Sequence, residues 1–560
     1  MRTIFAALAV LLLTAAVPAG RTGLHVTVFT MGDHLRLHFH TDLPVTEIVM
    51  DDREKDETTE GQLRSVRQRQ WRPAPGLLPY DGKIARRDRL AFQDADLDVF
   101  PDDLSILWGD PIVFRSGGGF IIDSRYLLGD PRRFDTTMVF RPREREMLYM
   151  NGAGAPTLEQ RDFHHEYYLG PVASLSGDPH LRLITGNDVP GWARARVGAQ
   201  TARSVSYFQA NLGPLPWPPT LIMAALPEPV EKPQPRMLGR ATPGGVLTFR
   251  FFGDTTLSDT ESGRAELEDI TSHEVFHFWD GFVGQPRDGM EASWLFEGAA
   301  NYGSMMARRE LGQLDPSRWR REIDKQLSSC RTFLGSKGLG ELEGEEHHEA
   351  VYSCGVVVEW ISDVAIQHAR HVPSGFFELW RGLLARAKAQ GGFYQLADFR
   401  AILNAADPAA LKTVDTLFAA DPGGDRWDRL RRQMESYGVR TGPAPMGERE
   451  ALYPLFQHLV QADCTSPGRF QLFREAAGIR LALEQGSCRH FGPSTEVRAI
   501  EGWSLRLDVY NAYAAMTQKC ASGLPVTVTL VKGGSIPLTC TRPVPPLAQS
   551  PQDFAIVAMP

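Results

Sequence analysis

Residues 265–280 contain neither proline nor glycine, so one unbroken helix can run through them. Inside that stretch lies Thr271-Ser272-His273-Glu274-Val275-Phe276-His277-Phe278-Trp279, which contains H-E-x-x-H. Helical residues four apart sit one turn above each other on the same face, so both imidazoles can reach a single metal ion. Imidazole nitrogen suits Zn2+, and a reactive zinc site takes three protein ligands and leaves a fourth position open. Glu274 stands beside the pair, placed to take a proton from a water at that open position. The chain is therefore expected to build a helical core around this segment.

A third ligand is needed. Twenty residues after His277 comes Glu297, in Ser293-Trp294-Leu295-Phe296-Glu297-Gly298-Ala299-Ala300-Asn301-Tyr302. The run reads as a second helix. An acid set among bulky apolar residues is poorly explained as ordinary surface, so Glu297 is the candidate. Asn301 lies four residues on, along the same face, where it can accept a hydrogen bond from a ligand histidine's free N–H and fix its tautomer.

At 560 residues the chain exceeds one ordinary core and calls for several domains. Its 42% hydrophobic and 23% charged residues suit a folded protein, and a net charge of −8 gives no basic footprint for nucleic acid. Residues 1–19 read as an export signal: Arg2 gives a positive start, residues 4–17 are apolar but too short to span a bilayer, and Val17-Pro18-Ala19 offers small residues for cleavage. No later segment is apolar enough to span, so a periplasmic or secreted protein is expected. Six cysteines without C-x-x-C spacing suggest disulfides in such a chain. Of the possible connectivities, the sequence-adjacent set is expected: Cys330 with Cys354, Cys464 with Cys488, Cys520 with Cys540.

Residues 24–178 lean towards β structure. His34-Leu35-Arg36-Leu37-His38-Phe39-His40 alternates as a half-buried strand does, with its histidines on a solvated face. Strands are also expected over 105–114, 119–127, 180–185, 221–226 and 245–252, and a helix over 192–212. From 266 to 437 apolar residues recur at three and four, as in Val356, Val357, Trp360 and Val364. Short strands return after 456, with a helix near 509–519. The fold class is multidomain α+β.

The two motif segments resemble the gluzincin metallopeptidases, whose H-E-x-x-H is followed by a glutamate in a W-L-x-E-G-x-A-x-Y setting. The run from His273 to Asp280 is most similar to the glycyl aminopeptidase family, which carries H-E-x-F-H-x-W-N, and Arg308-Arg309-Glu310-Leu311-Gly312 fits too. The resemblance implies a thermolysin-like domain with a helical part over 179–450. It implies one Zn2+ ion on His273, His277 and Glu297, Glu274 as general base, and a peptide or protein substrate. The family's Y-x-K-G corresponds to Tyr352-Ser353-Cys354-Gly355 ahead of a buried helix, which makes Tyr352 the candidate oxyanion donor, with His347 and His348 nearby as alternatives. Related aminopeptidases bind the substrate amine with a glutamate ending a glycine-rich strand. Here Gly244-Gly245-Val246-Leu247-Thr248 has no acid, so Gly244 and Gly245 are expected on an edge strand that pairs with substrate backbone. Peptide-bond hydrolysis is thus better grounded than aminopeptidase action.

Val497-Arg498-Ala499-Ile500-Glu501-Gly502 resembles the V-x-x-I-N-G segment of PDZ domains, which frequently end members of that family. Residues 456–545 are read as a PDZ-like domain whose groove takes an extended peptide as an added strand. The alternative is a degenerate peptidase scaffold that only binds peptides through this domain. Other hydrolase classes are not signalled: Ser116-Gly117-Gly118-Gly119 lacks a phosphate-binding lysine, and His164-His165-Glu166 lacks a second histidine at ligand spacing.

Overall fold

The computed structural model describes residues 21–50, 70–100, 112–113, 119–123, 127–150, 153–154, 166–171, 175–178, 181–186, 189–226, 237–242, 245–252, 259, 261–288, 292–342, 344–421, 423–443, 448–466, 470–475, 478–483, 487–505, 509–540, 544 and 554–559. The export-signal segment, Gly244, and the pair His164-His165 lie outside them. No described helix is long and apolar enough to cross a membrane. The chain divides into two compact units, one built from residues 1–194, 217–229 and 236–257, the other from 195–216, 230–235 and 258–560.

The first unit is β structure. One five-stranded sheet runs in the order Trp71–Pro73, Phe92–Val99, Leu35–Val45, Thr22–Thr30, Phe134–Arg141. A second, antiparallel sheet contains Phe120–Asp123, Glu146–Met150 and Glu166–Pro171. Alternation along each strand sends Leu24, Val26, Val28, Leu35, Leu37 and Phe39 into a core shared with Phe120, Leu148 and Tyr167 of the second sheet. On the opposite face Arg36, His38 and His40 stand across from Asp98, Asp96 and Asp94 and bond to them at 2.7–2.8 Å. The histidine face is thus a cross-strand ladder of side-chain hydrogen bonds to aspartates.

A third sheet has the order Leu175–Asp178, Leu181–Thr185, Thr220–Leu226, Val246–Phe252, Met237–Thr242. This corrects the expected edge strand. Val246–Phe252 is flanked on both sides, because Met237–Thr242 pairs antiparallel along it from Thr242 opposite Val246 to Met237 opposite Phe251. Its backbone is not free to receive a substrate strand. Gly245 has φ +82°, its carbonyl accepts the Thr220 amide at 2.7 Å, and an added Cβ would lie 1.9 Å from the Trp217 ring. Gly245→Ala is expected to cost at least about 2 kcal/mol, from left-handed backbone plus overpacking, measured by denaturant unfolding.

The second unit is largely helical: α1 (Gly191–Leu212, most of which belongs here), α2 (Glu261–Phe278), α3 (Ser293–Glu310), α4 (Pro316–Leu334), α5 (Gly344–Arg370), α6 (Gly375–Ala389), α7 (Leu396–Ala406), α8 (Pro408–Asp415) and α9 (Arg426–Ser436). Helix α4 starts with Asp315 capping the Ser317 and Arg318 amides and Pro316 in the first turn. Helix α5 is the buried spine, with Val356, Val357, Val358, Trp360 and Ile361 wholly inside. Helices α3 and α5 meet backbone to backbone: a Cβ on Gly298 would lie 2.4 Å from Gly355, and one on Gly355 would lie 2.2 Å from the Trp294 carbonyl oxygen.

The cysteine pairs are Cys330–Cys354, Cys464–Cys488 and Cys520–Cys540. The first ties α4 to α5 across 24 residues. Replacing both partners by alanine is expected to lower stability by about 3 kcal/mol on a chain-entropy account, read as a lower unfolding midpoint.

After α10 (Glu448–Asp463), a sheet in the order Phe470–Arg474, Ile479–Leu483, Ser494–Ile500, Val526–Leu530, Ser535–Leu538 packs with α11 (Val509–Ala521). This part has its own core, including Leu455, Phe456, Leu481, Val497, Ala512 and Val526. The chain then returns: Phe554–Ala558 pairs with Arg440–Pro443, and the Ile556 amide donates to Asp324 on α4 at 2.8 Å. Burial raises the Asp324 carboxyl to about 6, against the opposing pull of that amide. A carboxyl whose pKa rises on folding favours the protonated form. Its contribution is therefore full below the unfolded value and is lost as pH climbs through about 6. Asp324→Asn keeps an acceptor and removes the charge. It should stabilise the protein at neutral pH by about 1 kcal/mol, after discounting for partial exposure, and by nothing below about pH 4. Thermal unfolding at both pH values checks this.

Candidate metal centre

Helix α2 carries His273, Glu274 and His277, and α3 carries Glu297 and Asn301. The i, i+4 spacing brings the two imidazoles edge to face, with ring centroids 4.7 Å apart. Their Nε2 atoms are 3.1 Å apart. Glu297 Oε2 lies 3.3 Å from the Nε2 of His273 and 3.6 Å from that of His277. The other ring nitrogens are held from behind. His273 Nδ1–H donates to Asn301 Oδ1 at 2.8 Å, and His277 Nδ1–H donates to Asp280 Oδ1 at 3.0 Å.

Those outer bonds decide the chemistry of the centre. Because each Nδ1 carries the proton, each Nε2 presents a lone pair. Two lone pairs and a carboxylate then face one another at contact distance, an arrangement that repels itself unless a positive charge sits among them. A proton can take that place: burial alone would push the Glu297 carboxyl up, yet bonds from the two imidazoles when protonated, and their charge, hold it well below the usual range. Burial alone would depress His277, but the Asp280 charge and hydrogen bond, then Glu297, raise it well above an ordinary histidine. His273 is raised in the same sense, with burial outweighed by its bond to Glu297. Both directions say that the pocket favours a cation. Two imidazole nitrogens and a carboxylate oxygen are a zinc donor set.

Among the described residues one other group brings three metal-capable atoms together, Asp463 with Cys464 and Cys488, and its sulfurs are joined in a disulfide. The histidines at 34, 38 and 40 form no such group.

Local structure explains how Asp280 gets behind His277. Helix α2 passes into a π-helical turn, Trp279–Val283, where the Gly284 amide donates to the Trp279 carbonyl at 2.9 Å. Such turns re-aim side chains inside a helix. Tyr394 fixes the turn by donating to the Asp280 backbone carbonyl at 2.8 Å. Phe296 stacks on the His277 ring, centroids 4.1 Å apart, and closes that side with an apolar wall. Neither Asp280 nor Phe296 was singled out from sequence. The available signal for Asp280 was its place three residues after a ligand-type histidine, on the same helix face.

Glu274 is buried beside His273. Tyr352 is brought in by α5, its ring 6.3 Å from that of His273. Its setting differs from the expected one. Helix α5 begins at Gly344, so Tyr352 lies inside the helix and not ahead of it, and residues 347 and 348 are helical as well. The polar stretch before Tyr352 forms the helix's first turns, where amphipathic pattern is weak.

The sequence matches no protein-family profile and no curated protein. Solved structures are similar. The aminopeptidase N family protein from Idiomarina loihiensis superposes with a TM-score of 0.58 at 12% identity, covering 95% of this chain and 97% of that one. The chain shares this aminopeptidase N family fold. The M1 zinc metallopeptidase from Deinococcus radiodurans is similar with a TM-score of 0.43 at 16% identity, over 71% of this chain and 93% of that one.

Proposed function

We propose that this chain is an exported zinc metallopeptidase. The reading rests on the cluster of His273 Nε2, His277 Nε2 and Glu297 Oε2, whose outward-facing nitrogens are already committed to Asn301 and Asp280. These three residues would hold one Zn2+ ion, which supplies Lewis acidity to a peptide carbonyl. Glu274 takes the proton of the attacking water and delivers it to the leaving amine. Asn301 and Asp280 keep both imidazoles in the tautomer that leaves Nε2 free. Tyr352 donates its hydroxyl hydrogen bond to the oxyanion.

The substrate is a peptide or protein. The segment 244–248 has no acid to pair with a free amine, which favours peptide-bond hydrolysis as the general statement over strict aminopeptidase action. We read residues 456–545 as a PDZ-like module that recruits extended peptide; the separate core there supports an independent domain. Three disulfides support export.

The test is digestion of a mixed peptide library by purified protein, with and without a chelator, read by mass spectrometry alongside metal content. Chelator-sensitive cleavage is expected. Metal-free protein that does not take up zinc, or cleavage indifferent to chelator, would overturn the reading.

A further inference from the structure

The outward face of the first sheet carries imidazoles that the proposed reaction does not use. His25 on Thr22–Thr30 and His40 on Leu35–Val45 stand directly opposite each other in the antiparallel register. Opposed side chains on one face of a sheet are about 5 Å apart at Cβ, close enough to share a ligand. The two ring centroids are 6.1 Å apart. Imidazoles bound to one ion have centres about 5–6.5 Å apart, given metal–nitrogen bonds of about 2 Å, so the observed spacing fits.

Each ring is backed by a carboxylate. His25 Nε2–H donates to Asp42 Oδ1 at 3.0 Å, and His40 Nδ1–H donates to Asp94 Oδ1 at 2.8 Å. In the neutral rings the lone pairs therefore sit on His25 Nδ1 and His40 Nε2. A carboxylate holding the far N–H is the arrangement that orients metal-binding histidines. Asp42 has room to fold back onto His25 because residue 23 is glycine: a Cβ there would stand 2.2 Å from Asp42 Oδ2. The His25 and His40 side chains are 44% and 43% exposed, which lets an ion in from solvent and lets water complete its shell.

The other histidines of this face are placed differently. His38 stands opposite Thr27, and both its nitrogens face carboxylates, Nδ1 at 2.8 Å from Asp96 and Nε2 at 3.5 Å from Asp94. His34 likewise has Asp33 at 2.7 Å on Nδ1 and Asp98 at 3.8 Å from Nε2.

We propose that His25 and His40 form a surface site for a divalent transition metal, with Asp42 and Asp94 orienting the rings. Two imidazoles with water oxygens and no thiolate suit Cu2+ best, which also binds most tightly of the first-row divalent ions. The site takes no residue from the cluster of His273, His277 and Glu297, so it stands or falls independently of the zinc reading.

The test titrates the full, zinc-saturated chain with Cu2+ and reads bound copper by metal analysis and electron paramagnetic resonance. One copper per chain is expected, with hyperfine coupling to two imidazole nitrogens. His25→Gln and His40→Gln should each weaken that copper at least about tenfold, and His38→Gln should leave it within about twofold. All three side chains are partly exposed, so the variants should keep the wild-type unfolding midpoint. A merely histidine-rich surface would instead lose copper equally in all three. That equal loss, unchanged copper in His25→Gln or His40→Gln, or a wild-type chain that takes up no such copper would each overturn the proposal.

Discussion

Glu274→Gln should reduce peptide hydrolysis by about 10³-fold or more and leave zinc content unchanged. The glutamine side chain matches glutamate in shape, so the buried position beside His273 is filled as before. An amide cannot accept the proton of the attacking water, and the donor set of His273, His277 and Glu297 is untouched. Turnover of a fluorogenic peptide and metal analysis on the same preparation give the two readouts. A variant hydrolysing at the wild-type rate would remove Glu274 from the reaction. One that lost its zinc would show that the residue supports the ion instead.

His277→Ala is expected to have the largest combined effect. It deletes one of three donors, so the purified variant should carry close to no zinc and no measurable activity. It also strips Asp280 of its imidazole N–H, and that aspartate is wholly buried. Breaking a buried pair by removing one partner costs about 3 kcal/mol or more, so the apo variant should unfold earlier than apo wild type. Zinc should raise the unfolding temperature of wild type and leave the variant where it was, because only a folded state that binds the ion gains from it. Stoichiometric zinc in His277→Ala would refute the ligand assignment.

Much of the centre could be read from sequence because its geometry is local. His273 and His277 belong to one helix, where spacing alone dictates that they share a face. Glu297 and Asn301 repeat that logic on the next helix. The strands of the first sheet announced themselves by strict alternation from His34 to His40. What was hidden depends on distant pairing or on burial. Nothing local to Val246–Phe252 reveals that Met237–Thr242 will fold back along it, and that partner turns an expected edge into an interior strand. Asp280 is an ordinary acid on paper. Its role comes from being wholly buried with Oδ1 on the His277 Nδ1–H, which no short window of sequence records.

The contact of Gly298 with Gly355 has a consequence for how this molecule can change over time. Glu297 is the immediate neighbour of one glycine, and Tyr352 lies one helical turn before the other. The span between carboxylate and phenol is thus gauged by main chain lying on main chain, a ruler that no side-chain replacement elsewhere can lengthen. Substituting either glycine would reset it, whatever residue is chosen.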